Sequence, residues 1–280
     1  MSLGTASHLT PFVQCASTLP AMPEVANTLI RSFSRDDLSL GEVAGLIGRD
    51  QVLAAKVLRL ANSPRYSPSH SIASLKDAAA TLGLRSLRDL TLAACMCSAF
   101  PAVIGFDRLA FWRSTLALAA YTQPLARLMG LDEDEAYLGG LVLRTGQILM
   151  LMTDPEHSVL AHYQASTVDS TIGVESRLFG CSHPEVTAAL AHHWHFPSSL
   201  VMALTATVDP LATRPFSRLG AALRLASVIT DCREMGVPVQ DGLQLMQSAL
   251  LEHLQIDLAW LEAHLPDHRL ATAGVEALVH

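Results

Sequence analysis

Apolar residues recur at helical spacing from one end of this chain to the other. After Pro23, Ala26, Leu29, Ile30 and Phe33 follow at i, i+3, i+4 and i+7. Ser39 with Glu42 makes a capping-box pattern ahead of Val43, Leu46 and Ile47. Asp50 caps a stripe of Leu53, Val57, Leu60 and Ala61, which Asn62-Ser63-Pro64 ends. Ser74 and Asp77 open a short helix that Gly83 closes, and Ser86 and Asp89 open the next. Asp107 caps a long helix through Trp112 and Leu116 to Leu128, bent or interrupted at Pro124 and closed by Gly130. Asp134 precedes an apolar run over 138–152. Ser182, Pro184 and Glu185 start a helix that reaches Trp194, where Phe196-Pro197 stops it; Ser217 begins another through Leu223, Leu225 and Val228. No stretch alternates apolar and polar residues between hairpin turns. The predicted fold is all-α.

The loop over 99–106, with Pro101 and Gly105, is the expected internal boundary. A small N-terminal helical part (13–100) precedes it and a larger bundle (106–231) follows, and with so little polar linker the two are expected to pack together. Helix-like stretches at 243–254 and 258–265 predict an ordered C-terminal extension over 232–280. Arg144 and Gln147 interrupt the 138–152 run, which is too short to cross a bilayer. The opening MSLGTASHLT lacks the basic and apolar regions of a secretory signal. Five irregularly spaced cysteines (Cys15, Cys95, Cys97, Cys181, Cys232) read as buried, reduced thiols, so the cytoplasm is the expected compartment.

Composition agrees with packed helices: 50% of residues are hydrophobic but only 5% aromatic, which disfavours an aromatic-rich sandwich. A net charge of −7 disfavours nucleic acid and anionic membrane as partners. One segment breaks that trend, with Lys56, Arg59, Arg65, Lys76, Arg85 and Arg88 against Asp77 alone. It has a two-helix rhythm around Gly83, yet Tyr66 is its one aromatic, so a solvated face or a docking surface for an acidic partner is expected before DNA. His183, His192, His193 and His195 lie close in sequence, and His192 and His195 are spaced to share a helix face. Although Cys181 and Glu185 lie nearby, neither completes a ligand set by spacing. Exposed imidazoles at a helix end are expected, with Ser182 and Glu185 as cap. The nucleophile-elbow and phosphate-loop patterns do not occur.

Several segments, in order, resemble the HDOD family, regulatory relatives of HD-type metal-dependent phosphohydrolases. They are LPAMP (19–23), DQVLAAKVLRLANSPRYS (50–67), SIASLKDAAATLGLRSLRDL (71–90), FWRSTLALA (111–119), EAYLGGLVLRTGQILML (135–151) and FGCSHPEVTAALAHHWHFP (179–197). The resemblance covers about residues 13–231. It implies a small helical subdomain joined to a larger, degenerate HD-type bundle.

The resemblance also marks the places of the hydrolases' metal ligands, which are imidazoles and carboxylates because hard divalent ions need such donors. Ser114 stands at the first histidine position, Leu143 and Arg144 at the His-Asp pair, Thr207 (with Val208) and Ser227 at the later positions, while His183 matches a family histidine. Leu143 has no lone pair, and Arg144 puts a fixed cation where a dication would sit. The resemblance therefore implies a signalling module without catalysis or cofactor, acting through partner proteins. Two alternatives stay open: a nucleotide or phosphate sensor, with Arg144 forking onto phosphate, and a divergent metal hydrolase. For Arg144 the plain structural expectation is an ion pair with Asp132, Asp134 or Glu135.

Overall fold

The computed structural model describes residues 3–32, 39–64, 66–67 and 71–279. Phe33 and Arg65 lie outside the described residues. Seventeen helices and no strand occur among those described. They are α1 (Leu3–Ala16), α2 (Glu24–Arg31), α3 (Leu40–Gly48), α4 (Gln51–Ala61), α5 (Leu75–Ala99), α6 (Arg108–Met129), α7 (Glu133–Leu143), α8 (Gly146–Thr153) and α9 (Pro155–Gln164). There follow α10 (Thr171–Phe179), α11 (His183–His193), α12 (Ser198–Ala206), α13 (Arg218–Met235), α14 (Val239–Leu254), α15 (Leu258–His264), α16 (His268–Ala271) and α17 (Glu276–Val279). None of the described helices is long and apolar enough to cross a membrane.

Two compact units divide the chain, and each is discontinuous. One comprises 20–117 with 266–280; the other comprises 1–19 with 118–265. The division falls inside α6 rather than in the 99–106 loop, because Asp107 caps a helix that then runs unbroken past Ala117. Residues 232–280 do not form one extension either: α14 and α15 belong to one unit, α16 and α17 to the other.

In the 20–117 unit, α2, α3 and α4 pack on α5. Their starts carry the expected caps: Glu42 accepts from the Ser39 N–H, and Asp50 accepts from the Val52 and Leu53 N–H groups. Gly83 (φ 76°) breaks α5 by adopting the left-handed conformation that a side chain disfavours. The Asn62 amide bridges the end of α4 to Ile72, donating to its carbonyl and accepting from its N–H. α17 closes on α4 and α5, and the Lys56 ammonium reaches the Leu278 carbonyl at 3.3 Å.

In the 118–265 unit, α7 contacts α12 and α13, α8 contacts α11 and α1, and α14 lies along α13. Tyr121 and Tyr137 are fully buried here. Two adjacent glycines let α7 into this core. A Cβ at Gly140 would stand 2.7 Å from the Ala119 Cα, and one at Gly139 would stand 2.9 Å from a Leu223 methyl. The apolar run over 138–152 is not one helix, since Arg144 and Thr145 separate α7 from α8. α7 also starts earlier than Asp134, with Asp132 as cap accepting from the Glu135 N–H.

Candidate functional site

The turn between α7 and α8 is fixed by short-range chemistry. The Thr145 hydroxyl donates back to the Val142 carbonyl at 2.7 Å. The Thr187 hydroxyl, on α11, donates to the Leu143 carbonyl and accepts from the Gly146 N–H, both at 2.8 Å. Gly146 must be glycine here, since a Cβ would collide with the His183 carbonyl oxygen. One hydroxyl thereby satisfies two backbone groups that the broken helix leaves open. The turn is pinned to the start of α11, and Arg144 is turned toward α13.

Arg144 finds its acid there. Its Nη2 lies 2.5 Å from Asp231 Oδ1 and 3.5 Å from the Ser227 hydroxyl one helical turn earlier, and its Nη1 is 3.8 Å from Glu234. The other Asp231 oxygen accepts the Asp169 N–H at 3.0 Å. Asp169, in a left-handed conformation (φ 63°), accepts from Arg224 at 2.8 Å and from Gln247 at 2.6 Å. Arg144 thus pairs with Asp231 and Arg224 with Asp169, and the Asp169 N–H joins the two pairs into a largely buried network with Glu234 at its edge. Burial opposes the charge on Arg144, but Asp231, Glu234 and Glu175 outweigh it and hold the guanidinium above its ordinary pKa. Asp169 is pushed above the usual carboxylate range by burial, against the pull of Arg224 and Gln247.

The acids proposed from sequence for Arg144 are not its partners. They begin α7, and Arg144 ends it, about 16 Å away along an eleven-residue helix. Asp132 is spent as a cap and Glu135 accepts from the Ser199 hydroxyl.

The second feature stands at the start of α11. His183 is 2% exposed, and both its N–H and its Nδ1 lie 2.7 Å from Glu175 Oε2. Glu175 is itself buried and accepts from the Gln147 amide through its other oxygen at 3.1 Å. The Nε2 of His183 is buried and has no hydrogen-bond partner among the described residues. Glu185 completes the start of the helix, accepting from the Ser182 N–H and hydroxyl at 2.8 and 2.9 Å.

Of the positions marked by the resemblance, the structure brings Leu143, Arg144, His183 and Ser227 around the α7–α8 turn. Thr207 is elsewhere: its hydroxyl donates to the Ala203 carbonyl, and the α13 residue it approaches is Gly220, about 10 Å along the helix from Ser227. Ser114 belongs to the part of α6 in the other compact unit. His183 parts from its sequence neighbours, because it opens α11 whereas His192, His193 and His195 lie exposed at or beyond its far end.

The basic segment is also less uniform than its sequence. Arg59, Lys76 and Arg85 are exposed, Arg88 is buried at 7% exposure, and Lys56 is engaged by Ser98 and Leu278. Arg65 lies outside the described residues. Glu175, Asp231, Asp169, Arg224 and Gln247 escaped the sequence reading. The signal available for Asp231 was an acid one turn beyond Ser227, among the buried Val228, Ile229 and Cys232.

These residues do not fit a divalent ion. Leu143 presents hydrocarbon, Arg144 presents a cation already neutralised by Asp231, and His183 offers one nitrogen. Among the described residues, no three His, Cys, Asp or Glu side chains converge as a metal site would require.

Comparison with known proteins gives a consistent picture. Residues 19–210 match the family model described as the HDOD domain. The crystal structure of a candidate phosphohydrolase from Shewanella amazonensis SB2B is 26% identical, with a TM-score of 0.77, covering 96% of this chain and 98% of that one. An HDOD domain protein of unknown function from Geobacter sulfurreducens (23% identical, TM-score 0.69, 94% and 98% covered) shares the fold. So does a candidate signal transduction protein from Marinobacter aquaeolei VT8 (19%, TM-score 0.67, 96% and 66% covered). Among curated proteins, an uncharacterized protein of Treponema pallidum (strain Nichols) is 23% identical over 187 residues; the match takes in 65% of this chain but only 36% of that protein's length.

Proposed function

This chain belongs to the HDOD domain family, and from that premise we propose that it is a regulatory module without hydrolytic activity, working in the cytoplasm by binding partner proteins. The observation that carries this reading is the Arg144–Asp231 pair. A guanidinium and a carboxylate 2.5 Å apart, held between α7 and α13, take up the space and the charge that a bound dication would need. To re-form an ion site, the chain would have to expel Arg144 and leave Asp231 uncompensated, which costs several kcal/mol. A phosphate ligand on Arg144 would face the same obstacle, since it must displace a carboxylate already bonded to the Asp169 N–H. Such a module acts by occupancy: it holds a partner in one conformation or location instead of converting a substrate.

The test is turnover together with metal content. The purified full chain, supplied with Mg2+ or Mn2+, is assayed on a phosphomonoester and a cyclic dinucleotide, with metal analysis of the protein as isolated. No release above the blank and substoichiometric metal are expected. Turnover that chelator abolishes and metal restores would overturn the reading.

A further inference from the structure

The end of α13, the first two turns of α14 and the loop over 166–168 enclose a groove of about 470 Å3. Its floor is apolar, formed by Val168, Met235, Val237, Leu245 and Met246. Leu245 is 81% exposed, Met235 44% and Met246 38%, an unusual concentration of large apolar side chains facing water. Asp241 is the one charged residue in the lining, and among the described residues its carboxylate makes no ion pair. It lies one helical turn before Leu245, on the same face of α14.

The groove is built to keep its shape. A Cβ at Gly242 would run into the Cys232 sulfur, so α14 can sit directly on α13 at that level. Just past the groove, α14 departs from helical geometry at Gln247 (φ −134°, ψ 27°), whose amide is bonded to Asp169, the residue following the 166–168 wall. Both walls are therefore tied at one point. Preformed walls reduce the ordering that a binding event would otherwise require.

We propose that this groove docks an amphipathic helix of a partner protein, its apolar face on Met235, Leu245 and Met246 and a Lys or Arg at its edge paired with Asp241. The inference rests on the regulatory reading above and names the surface through which it would operate. From Val239 to Met246, α14 offers about 12 Å of straight wall, the length of two turns of a docked helix. Apolar anchors at i, i+3, i+4 and i+7 fit such a channel, and methionine side chains adapt to their shapes. Charge complementarity selects the partner: an unpaired carboxylate beside an apolar floor, on a chain of net charge −7, favours a basic helix and disfavours an anionic membrane.

The experiment is a selection from a display library of short helical peptides against the full-length chain. The apolar face is held constant while the flanking positions vary among Lys, Glu and Ser. Enrichment of lysine-bearing peptides is expected, with binding weakened about tenfold or more in L245E and the lysine preference reversed in D241K. Both substitutions are at exposed positions, and circular dichroism of each variant confirms that it remains folded.

Four outcomes overturn the proposal: no peptide above background, equal binding to L245E, enrichment without basic residues, or a dimer that L245E converts to monomer, which would make a second copy the occupant. Failure here with no hydrolytic turnover removes this groove alone. Metal-dependent turnover with peptide binding intact removes the regulatory reading and leaves the groove standing.

Discussion

Arg144 and His183 both border the α7–α8 turn, and each is met by a carboxylate from another helix. Asp231 serves the first and Glu175 the second, and each carboxylate also accepts a backbone N–H, from Asp169 and from His183 itself. The difference lies in what is left over. Arg144 is matched in charge by Asp231, and that pair is joined through the Asp169 N–H to a second one, Arg224 with Asp169. His183 is anchored at one nitrogen and buried at the other with no hydrogen-bond partner among the described residues. The α13 side is closed by charge; the α11 side is closed by helix capping and leaves a polar atom stranded. Polar side chains that meet at one turn are thus held in place by unlike means.

The comparison can be broken first at Asp231. Asp231→Ala leaves a buried guanidinium without its counter-charge and removes the acceptor for the Asp169 N–H, so stability falls by about 3–5 kcal/mol. Urea unfolding measures it, and joint replacement by Arg144→Met and Asp231→Leu recovers most of the loss. A cost under about 1 kcal/mol would show that the pair does not close the site.

Glu175→Ala is expected to cost less, about 2–3 kcal/mol, since it strands polar groups on His183 and Gln147 but uncovers no permanent charge. The same unfolding series ranks the two variants, and the reverse order would dissolve the distinction.

The smallest effect sharpens it with two natural reporters. Burial, and then Glu185 and Glu175, push the Cys181 thiol up to about 12; burial, and then Asp231, push Cys232 up to about 11. A thiol held above its ordinary value of 9.0 keeps its proton longer in the folded chain. Its stabilising contribution is therefore whole below pH 9 and declines as pH rises toward those values, by up to about 1.4 kcal/mol per pH unit for each thiol. Alkylation followed by mass spectrometry at rising pH should label Cys232 before Cys181, both slower than in urea.

The all-helical fold was legible because caps and stripes are local. Ser39, Asp50, Ser74, Asp107 and Ser217 each do at their helix starts what spacing alone implies. Among the helices that went unread, α10 and α12 have fewer such marks, since Ser170 and Pro197 precede them without a side-chain cap bond, whereas α9 carries the Asp154 cap and Pro155 and was legible.

The site was legible only in part. The character of Leu143 and Arg144 was readable, but the partner of Arg144 lies 87 residues away, and the apolar setting that marks Asp231 as buried does not say which cation it meets. Glu175 hid for a similar reason, eight residues before the imidazole it holds. The basic segment misled in the opposite way, because a run of charges in sequence says nothing of which face each occupies. Arg88 is inside.

The closure of α17 onto α4 and α5 has a consequence for biosynthesis. The Lys56 ammonium and the Leu278 carbonyl that meet there are 222 residues apart, and the Cys97 sulfur reaches the same carbonyl across 181. Helices emerging early from the ribosome must wait, with this seam open, until nearly all of the intervening polypeptide has been made. Loop closure on that scale slows assembly and lengthens the exposure of apolar side chains. The unit whose helices α2 to α5 are made early is thus completed late.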